Sequence, residues 1–228
     1  VLTIIVLVDM GLISEANRLR VKKLFDKELV DPVKVIHFTQ DFECDYCKDT
    51  RVLLEELVEL SSGKIGLEVY EFVKDAVKAK EHSVEYIPAT IIGNRSDGVR
   101  YYGIPSGYEF SSLLEDLVDV SRGATRLADT TKQRLKVIEK PVHIKVFVTP
   151  TCPYCPRAVR IAHQFALENP NIRADMIESI EFPQLAIRYE VMAVPKVVIN
   201  DAVTFEGALP EAQFLEHVIS AVSGSVQE

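Results

Sequence analysis

The chain has 228 residues, of which 47% are hydrophobic and 26% charged, with a net charge of −8 and a pI near 5.3. This is an ordinary globular composition, long enough to bury a core without disulfide staples. It is too acidic for a general binder of nucleic acid or anionic membrane, and no apolar run is long enough to span a bilayer.

In chain order, Val1–Asp9 comes first. It is apolar, about half as long as a membrane span, and lacks the basic start and cleavage site of a signal peptide. It reads either as an extra edge strand or as residues upstream of a start at Met10. The second is preferred, because Gly11–Ile13 followed by Ser14 and Glu15 has the pattern of a helix start. A helix is expected over Glu15–Leu29, then Pro32 and a buried strand over Val33–Thr39. Cys44 and Cys47 follow and open a helix whose apolar face is Val52, Leu53, Leu57, Val58 and Leu60. A strand over Gly66–Phe72, a short helix over Asp75–His82 and a strand entered through Ile87 and Pro88 come next. A turn near Asn94–Gly98, a strand over Val99–Tyr102 and an amphipathic helix over Tyr108–Val120 complete this stretch.

The pattern then starts again. Cys44, Pro88, Gly103 and Phe110 recur as Cys152, Pro195, Gly207 and Phe214, at an offset that drifts slowly. The second copy has a helix over Thr131–Glu139, Pro141, a strand over Val142–Thr149 and the pair Cys152/Cys155. Its next helix shows Val159, Ile161, Ala162, Phe165 and Ala166 on one face. Ile172–Ile177, Pro183–Tyr189, the strand behind Val194 and Pro195, Val203–Glu206 and Pro210–Val222 complete it. Helices and strands in this order make an α/β unit with a mixed sheet. The boundary belongs near Ser121–Arg126, where Gly123 breaks the helix, which gives units 1–122 and 123–228.

All four cysteines fall into the two pairs. Two intervening residues in the first turn of a helix bring both sulfurs within bonding reach, and the helix N-terminus favours a thiolate. Cys44 and Cys152 are therefore the expected nucleophiles, Cys47 and Cys155 the resolving thiols. A zinc hook is the alternative. Structural zinc usually joins two such pairs roughly 15–20 residues apart, whereas these pairs lie a domain apart with no histidine at ligand spacing. Cysteines used this way in a chain with no export signal imply redox work in the cytoplasm, and scarce Asn and Gln fit a thermophile.

Each copy resembles a thioredoxin or glutaredoxin unit, and Cys152-Pro153-Tyr154-Cys155 is similar to a glutaredoxin-type active site. From Met10 to Val222 the chain resembles the two-unit protein disulfide oxidoreductases of hyperthermophiles. That resemblance implies cis-prolines at Pro88 and Pro195, facing the cysteines. Ile87 and Val194, with these prolines and Tyr46 and Tyr154, are then the expected substrate contacts; helix-start packing is the alternative for the tyrosines. It also implies that disulfide-containing or unfolded proteins are substrates and that a thioredoxin-reductase-like flavoprotein donates the electrons. No dinucleotide fingerprint is present, so no cofactor of the chain's own is expected. A relay for a peroxide-reducing system is a second enzymatic reading, although such relays usually lack the cysteines of one unit. A non-catalytic, chaperone-like or zinc-bound module is the third.

Many thioredoxins keep a buried acid on the strand before the active site. Here the second copy has Val146 there and the first has Phe38 or His37, so no carboxylate relay is expected, and His37 reads as a packed strand residue. Asp41, Glu43, Asp45 and Asp49 surround Cys44, whereas Arg157 and Arg160 follow Cys152. An exposed charge roughly 7 Å away is worth on the order of 0.5 kcal/mol. Cys152 is accordingly expected to be the more acidic thiol, and its centre the more oxidising.

Overall fold

A computed structural model describes residues 11–93 and 98–223. Val1–Asp9, with the two readings given for it, and most of the turn at 94–98 lie outside the described residues. The first unit consists of α1 (Glu15–Glu28), β1 (Val33–Thr39), α2 (Cys47–Leu60), β2 (Ile65–Glu71), α3 (Ala76–Glu81), β3 (Ala89–Ile92), β4 (Val99–Tyr102) and α4 (Glu109–Arg122). The second repeats it as α5 (Asp129–Lys136), β5 (Val142–Val148), α6 (Cys155–Glu168), β6 (Ile172–Glu178), α7 (Pro183–Arg188), β7 (Lys196–Ile199), β8 (Val203–Glu206) and α8 (Glu211–Ser223).

Local chemistry explains the boundaries. Gly123 takes a left-handed conformation, φ 60°, and its N–H closes the last turn of α4 on Asp119 and Val120, the usual glycine stop. Helix α6 tolerates Pro156 because the first turn has no intrahelical partner for that position's N–H. The largest shift is α5, which spans Asp129–Lys136 where Thr131–Glu139 is expected. An aspartate in the first turn suits the positive end of a helix.

The strands form a single eight-stranded sheet in the order β2-β1-β3-β4-β6-β5-β7-β8. In each unit the first two strands pair in parallel and the last two antiparallel. The two halves are joined by β4 and β6, which run parallel from Val99↔Ala174 to Tyr102↔Ile177. The repeat alone does not imply this join. One row of side chains crosses the whole sheet through these registers: Val69, His37, Thr90, Tyr101, Met176, Val146, Val197 and Phe205.

The larger core lies on the face covered by α1, α2, α4, α6 and α8 and runs through both units. Phe25, Phe165 and Phe214 are fully enclosed in it, each stabilising the fold by roughly 1.5–3 kcal/mol relative to exposure. A smaller core under α3 and α7 gathers Phe38, Ile91, Phe147, Phe182 and Leu185.

Helix α4 of the first unit lies on α6 of the second, and their contact is ionic. Arg160 on α6 pairs with Asp116 and Asp119 of α4. His163 Nδ1 lies 2.6 Å from Asp116 Oδ2, to which the Tyr101 hydroxyl also donates. Asp116 and His163 are wholly enclosed, so every member of the cluster depends on the others for its polar partners.

Candidate active sites

Both cysteine pairs are disulfide-bonded, Cys44 to Cys47 and Cys152 to Cys155, with Cα–Cα separations of 5.5 and 5.6 Å. In each pair the strand β1 or β5 delivers a short loop, and the inner cysteine is the first residue of α2 or α6. Cys47 and Cys155 are fully buried. The outer sulfurs differ: Cys44 is half-buried, whereas Cys152 is only 8% exposed.

At the second centre the Cys155 N–H points to Cys152 Sγ at 3.2 Å. An unpaired helix-start N–H aimed at sulfur stabilises negative charge there. Cys152 Sγ is 3.7 Å from the Val194 carbonyl, which brings the loop holding Pro195 over the disulfide. Both Ile87–Pro88 and Val194–Pro195 are cis. Tyr154 is 70% exposed and Tyr46 39%. Phe42, Tyr108 and Met192 are further exposed apolar side chains on the cysteine and proline loops or on the loop packed against Pro150.

The first unit builds one wall of the second centre. Its loop after β4 lies on the strand leading to Cys152, with the Tyr108 N–H donating to the Pro150 carbonyl at 3.0 Å. Gly107, at φ +59°, is required there, since a Cβ would run into that carbonyl. The Ile104 N–H donates to Glu181 Oε1 at 2.7 Å. Glu109, the first residue of α4, is 1% exposed. Tyr108 on Pro150, with Asp116 and Asp119 on Arg160, holds the start of α4 against the loop before α6 and the rest of α4 along α6. Burial pushes its carboxyl up to about 7, against the hydrogen bond from Ser112. Its Oε1 has no hydrogen-bond partner among the described residues. Burial likewise raises Glu181 to about 7.

The sequence implies no carboxylate relay in either unit; the buried carboxyl Glu109 of the first unit opens α4, the helix that packs along α6. Its only sequence signal is an acid at the start of an otherwise apolar helix face. Of the two cations expected to act on Cys152, the Arg160 guanidinium is buried and committed to Asp116 and Asp119, while Arg157 is exposed. The acids around Cys44, namely Asp41, Glu43, Asp45 and Asp49, all point into solvent.

At the first centre the strand residue is His37, not Phe38: His37 shares the helix-covered face with Val35, whereas Phe38 faces the smaller core. It is fully buried, with Nδ1 3.1 Å from the Ala89 carbonyl and 3.2 Å from Thr90 Oγ1. Burial lowers it to about 4, so the ring is neutral near physiological pH. The other histidines serve elsewhere; His143, for instance, binds Asp175 at 2.6 Å.

A family description of the thioredoxin domain matches residues 142–220. Among curated proteins, an NADH dehydrogenase of Bacillus subtilis is 28% identical over 80% of this chain and 34% of its own. The F subunit of alkyl hydroperoxide reductase from Staphylococcus epidermidis is 27% identical over 67% of this chain and 33% of its own. The chain thus spans about a third of the length of these relatives. Among solved structures, the corresponding alkyl hydroperoxide reductase protein of Enterococcus faecalis shares the fold at TM-score 0.82 and 24% identity, over 90% of this chain and 98% of that one. A protein disulfide oxidoreductase from Aeropyrum pernix superposes at TM-score 0.87 with 37% identity, over 93% of this chain and 94% of that one. Two thioredoxin-fold units, two bonded Cys-x-x-Cys pairs and this degree of identity over nearly full length place the chain in the protein disulfide oxidoreductase family.

Proposed function

We propose that the protein exchanges thiols and disulfides with other proteins at two dithiol centres, one in each of the units 1–122 and 123–228. The observation that carries this is the disulfide at the start of α6, with a helix N–H on Cys152 Sγ and the proline loop against it. Cys44 and Cys152 attack a substrate disulfide and hold one half as a mixed disulfide; Cys47 and Cys155 then attack the outer sulfur and release the second thiol. Pro88 and Pro195, with Ile87 and Val194, present backbone to the bound chain. Tyr46 and Tyr154 offer it apolar surface. Glu109, half-ionised near neutral pH, takes up the proton that Cys155 sheds as it attacks.

Disulfide-containing or unfolded proteins in the cytoplasm are the proposed substrates, and a thioredoxin-reductase-like flavoprotein the donor. The similarity to the alkyl hydroperoxide reductase of Staphylococcus epidermidis supports a second reading, in which the chain relays electrons to a peroxide-reducing partner.

Insulin reduction driven by dithiothreitol tests the main reading. The wild type is expected to turn over, and the chain lacking all four cysteines is not; equal rates would remove the exchange reading. Electron transfer to a thiol peroxidase at rates above insulin reduction would favour the relay.

A further inference from the structure

The strand pairing fixes where the two centres open. Strands β1 and β4 both run antiparallel to β3, β4 runs parallel to β6, and β6 to β5. Both cysteine loops therefore leave the sheet at the same edge. Phe38, Ala89, Tyr102, Ile177 and Phe147 stand in one row there, with the Cys44 loop beyond one end and the Cys152 loop beyond the other. The order β1-β3-β4-β6-β5 sets these loops four strand spacings apart, about 20 Å, which the twist of the sheet widens to roughly 25 Å at the strand ends. The stretch between them is built by the turns after β4 and β6. The first turn starts on one centre and finishes on the other: the Gly103 N–H donates to the Pro88 carbonyl and the Tyr108 N–H to the Pro150 carbonyl, both at 3.0 Å. The second is tied to it by the Ile104 N–H on Glu181. Apolar side chains are exposed along the whole edge: Phe42 and Tyr46 at the first centre, Tyr108 and Ile180 on the two turns between, Tyr154 and Met192 at the second. An exposed apolar row of this kind marks an interaction surface, and this one is continuous with a disulfide at each end.

We propose that one extended client polypeptide lies along this edge and is held at both centres at once, through two of its cysteines. The inference rests on the exchange reading and specifies the client: an unfolded chain whose cysteines stand about eight or more residues apart, since an extended chain advances about 3.3 Å per residue. A folded partner offering a single disulfide engages only one end of the row. The covalent step balances. Each client thiolate attacks an outer sulfur, Cys44 or Cys152, and forms a mixed disulfide with it. The Cys44–Cys47 or Cys152–Cys155 bond breaks, and the inner cysteine leaves as a thiolate and takes a proton from solvent. Each client sulfur is oxidised as one inner sulfur is reduced, so the two protein disulfides are the only oxidants needed.

The test uses the full chain carrying Cys47→Ser and Cys155→Ser, in which neither inner thiol resolves an adduct. The probe is an unstructured peptide with two cysteines, each activated as a 2-thiopyridyl disulfide. Every link to Cys44 or Cys152 releases one thiopyridone, read by absorbance. With about ten residues between the cysteines, the second release is expected to be independent of protein concentration. Mass spectrometry is expected to find one protein joined to one peptide at both Cys44 and Cys152. An effective concentration of about a millimolar favours that route about a thousandfold over a second protein molecule at micromolar concentration. A peptide whose activated cysteines form a Cys-x-x-Cys pair spans only about 10 Å. Its second release is expected to scale with protein concentration and to join two protein molecules. Tyr108→Ser/Ile180→Ser is expected to slow the second release with the long peptide about fivefold and to leave the first unchanged. Two-protein adducts with the long peptide overturn the proposal, and so does a second release that the Tyr108/Ile180 change leaves untouched. No first release at either centre would instead remove the exchange reading, and this proposal with it.

Discussion

At the first centre Cys44 is half open to solvent, and the buried titratable group is a base on the unit's own strand, His37. At the second, Cys152 is nearly closed over, and the buried titratable group is an acid, Glu109, on a helix of the neighbouring unit. The frame of strand, cysteine pair, helix and cis-proline is shared. What differs is the surroundings. Helix α6 has a helix of the other unit packed along it, whereas α2 is flanked by α1 and by the Leu12 and Ile13 N–H groups on Glu56. Two copies of one dithiol frame thus acquire different buried titratable groups without any change to the cysteines themselves.

The sharpest break of this comparison removes one resolving thiol at a time. Cys155→Ser and Cys47→Ser are each expected to cut turnover at their own centre by about a hundredfold or more and to leave substrate trapped on Cys152 or Cys44. Mass spectrometry of the trapped adduct identifies the outer cysteine; a trap on neither would refute the assigned order of attack.

Next comes the contact between units. Asp116→Ala strips Arg160, His163 and Tyr101 of a shared buried partner and is expected to destabilise the protein by about 3–5 kcal/mol. Denaturant unfolding measures this, and a loss below about 1 kcal/mol would mean that the ionic cluster is dispensable.

Glu109→Gln separates the two centres by pH. The carboxyl is raised from 4.5 to about 7 in the fold. Its favourable contribution is therefore complete below about pH 4.5 and is lost as pH rises through about 7. The glutamine variant should gain stability over wild type on the alkaline side, by about 2–3 kcal/mol at most. Resolution at Cys155 should slow about tenfold near neutrality, with the Cys44 centre unchanged. Single-centre insulin assays across pH, beside thermal unfolding, read both effects. His37 has the opposite sign: lowered from 6.5 to about 4, it contributes stability fully above about pH 6.5 that is lost as pH falls through about 4.

The smallest effect is expected at the tyrosines. Tyr154→Ala removes the more exposed ring and should raise KM for an unfolded substrate about threefold, and Tyr46→Ala should do so less. Equal or absent effects would take the tyrosines out of substrate contact.

Much of this is legible in the chain. The cysteine pairs, the strand–helix alternation and the two prolines are local signals, and a duplicated sequence states each of them twice. Glu109 is not legible, because its meaning depends on α4 lying along α6, a contact between residues far apart in sequence. The charges beside Cys152 mislead for the same reason: Arg160 is near in sequence, yet its guanidinium is turned to another helix. His37 lies between. Its side of the strand follows from alternation, but its partner Thr90 emerges only once β1 and β3 are paired.

The seam between β4 and β6 bears on how large such a protein grows. Among the described residues the outer strands of the sheet are β2 and β8, and these are the repeats' counterparts of β6 and β4. The surfaces that join the two halves are thus presented again at the two ends, which is the arrangement of a head-to-tail polymer. The ends lack what locks the middle. Where β4 has Tyr101, β8 has Phe205; where α6 has Arg160 and His163, α2 has Val52 and Glu55. β4 is buried along its whole length, whereas β8 shows Thr204 and Glu206 to water. The outer faces of the described sheet omit the ionic lock that holds the middle, and grafting that lock onto them is the change expected to favour head-to-tail growth.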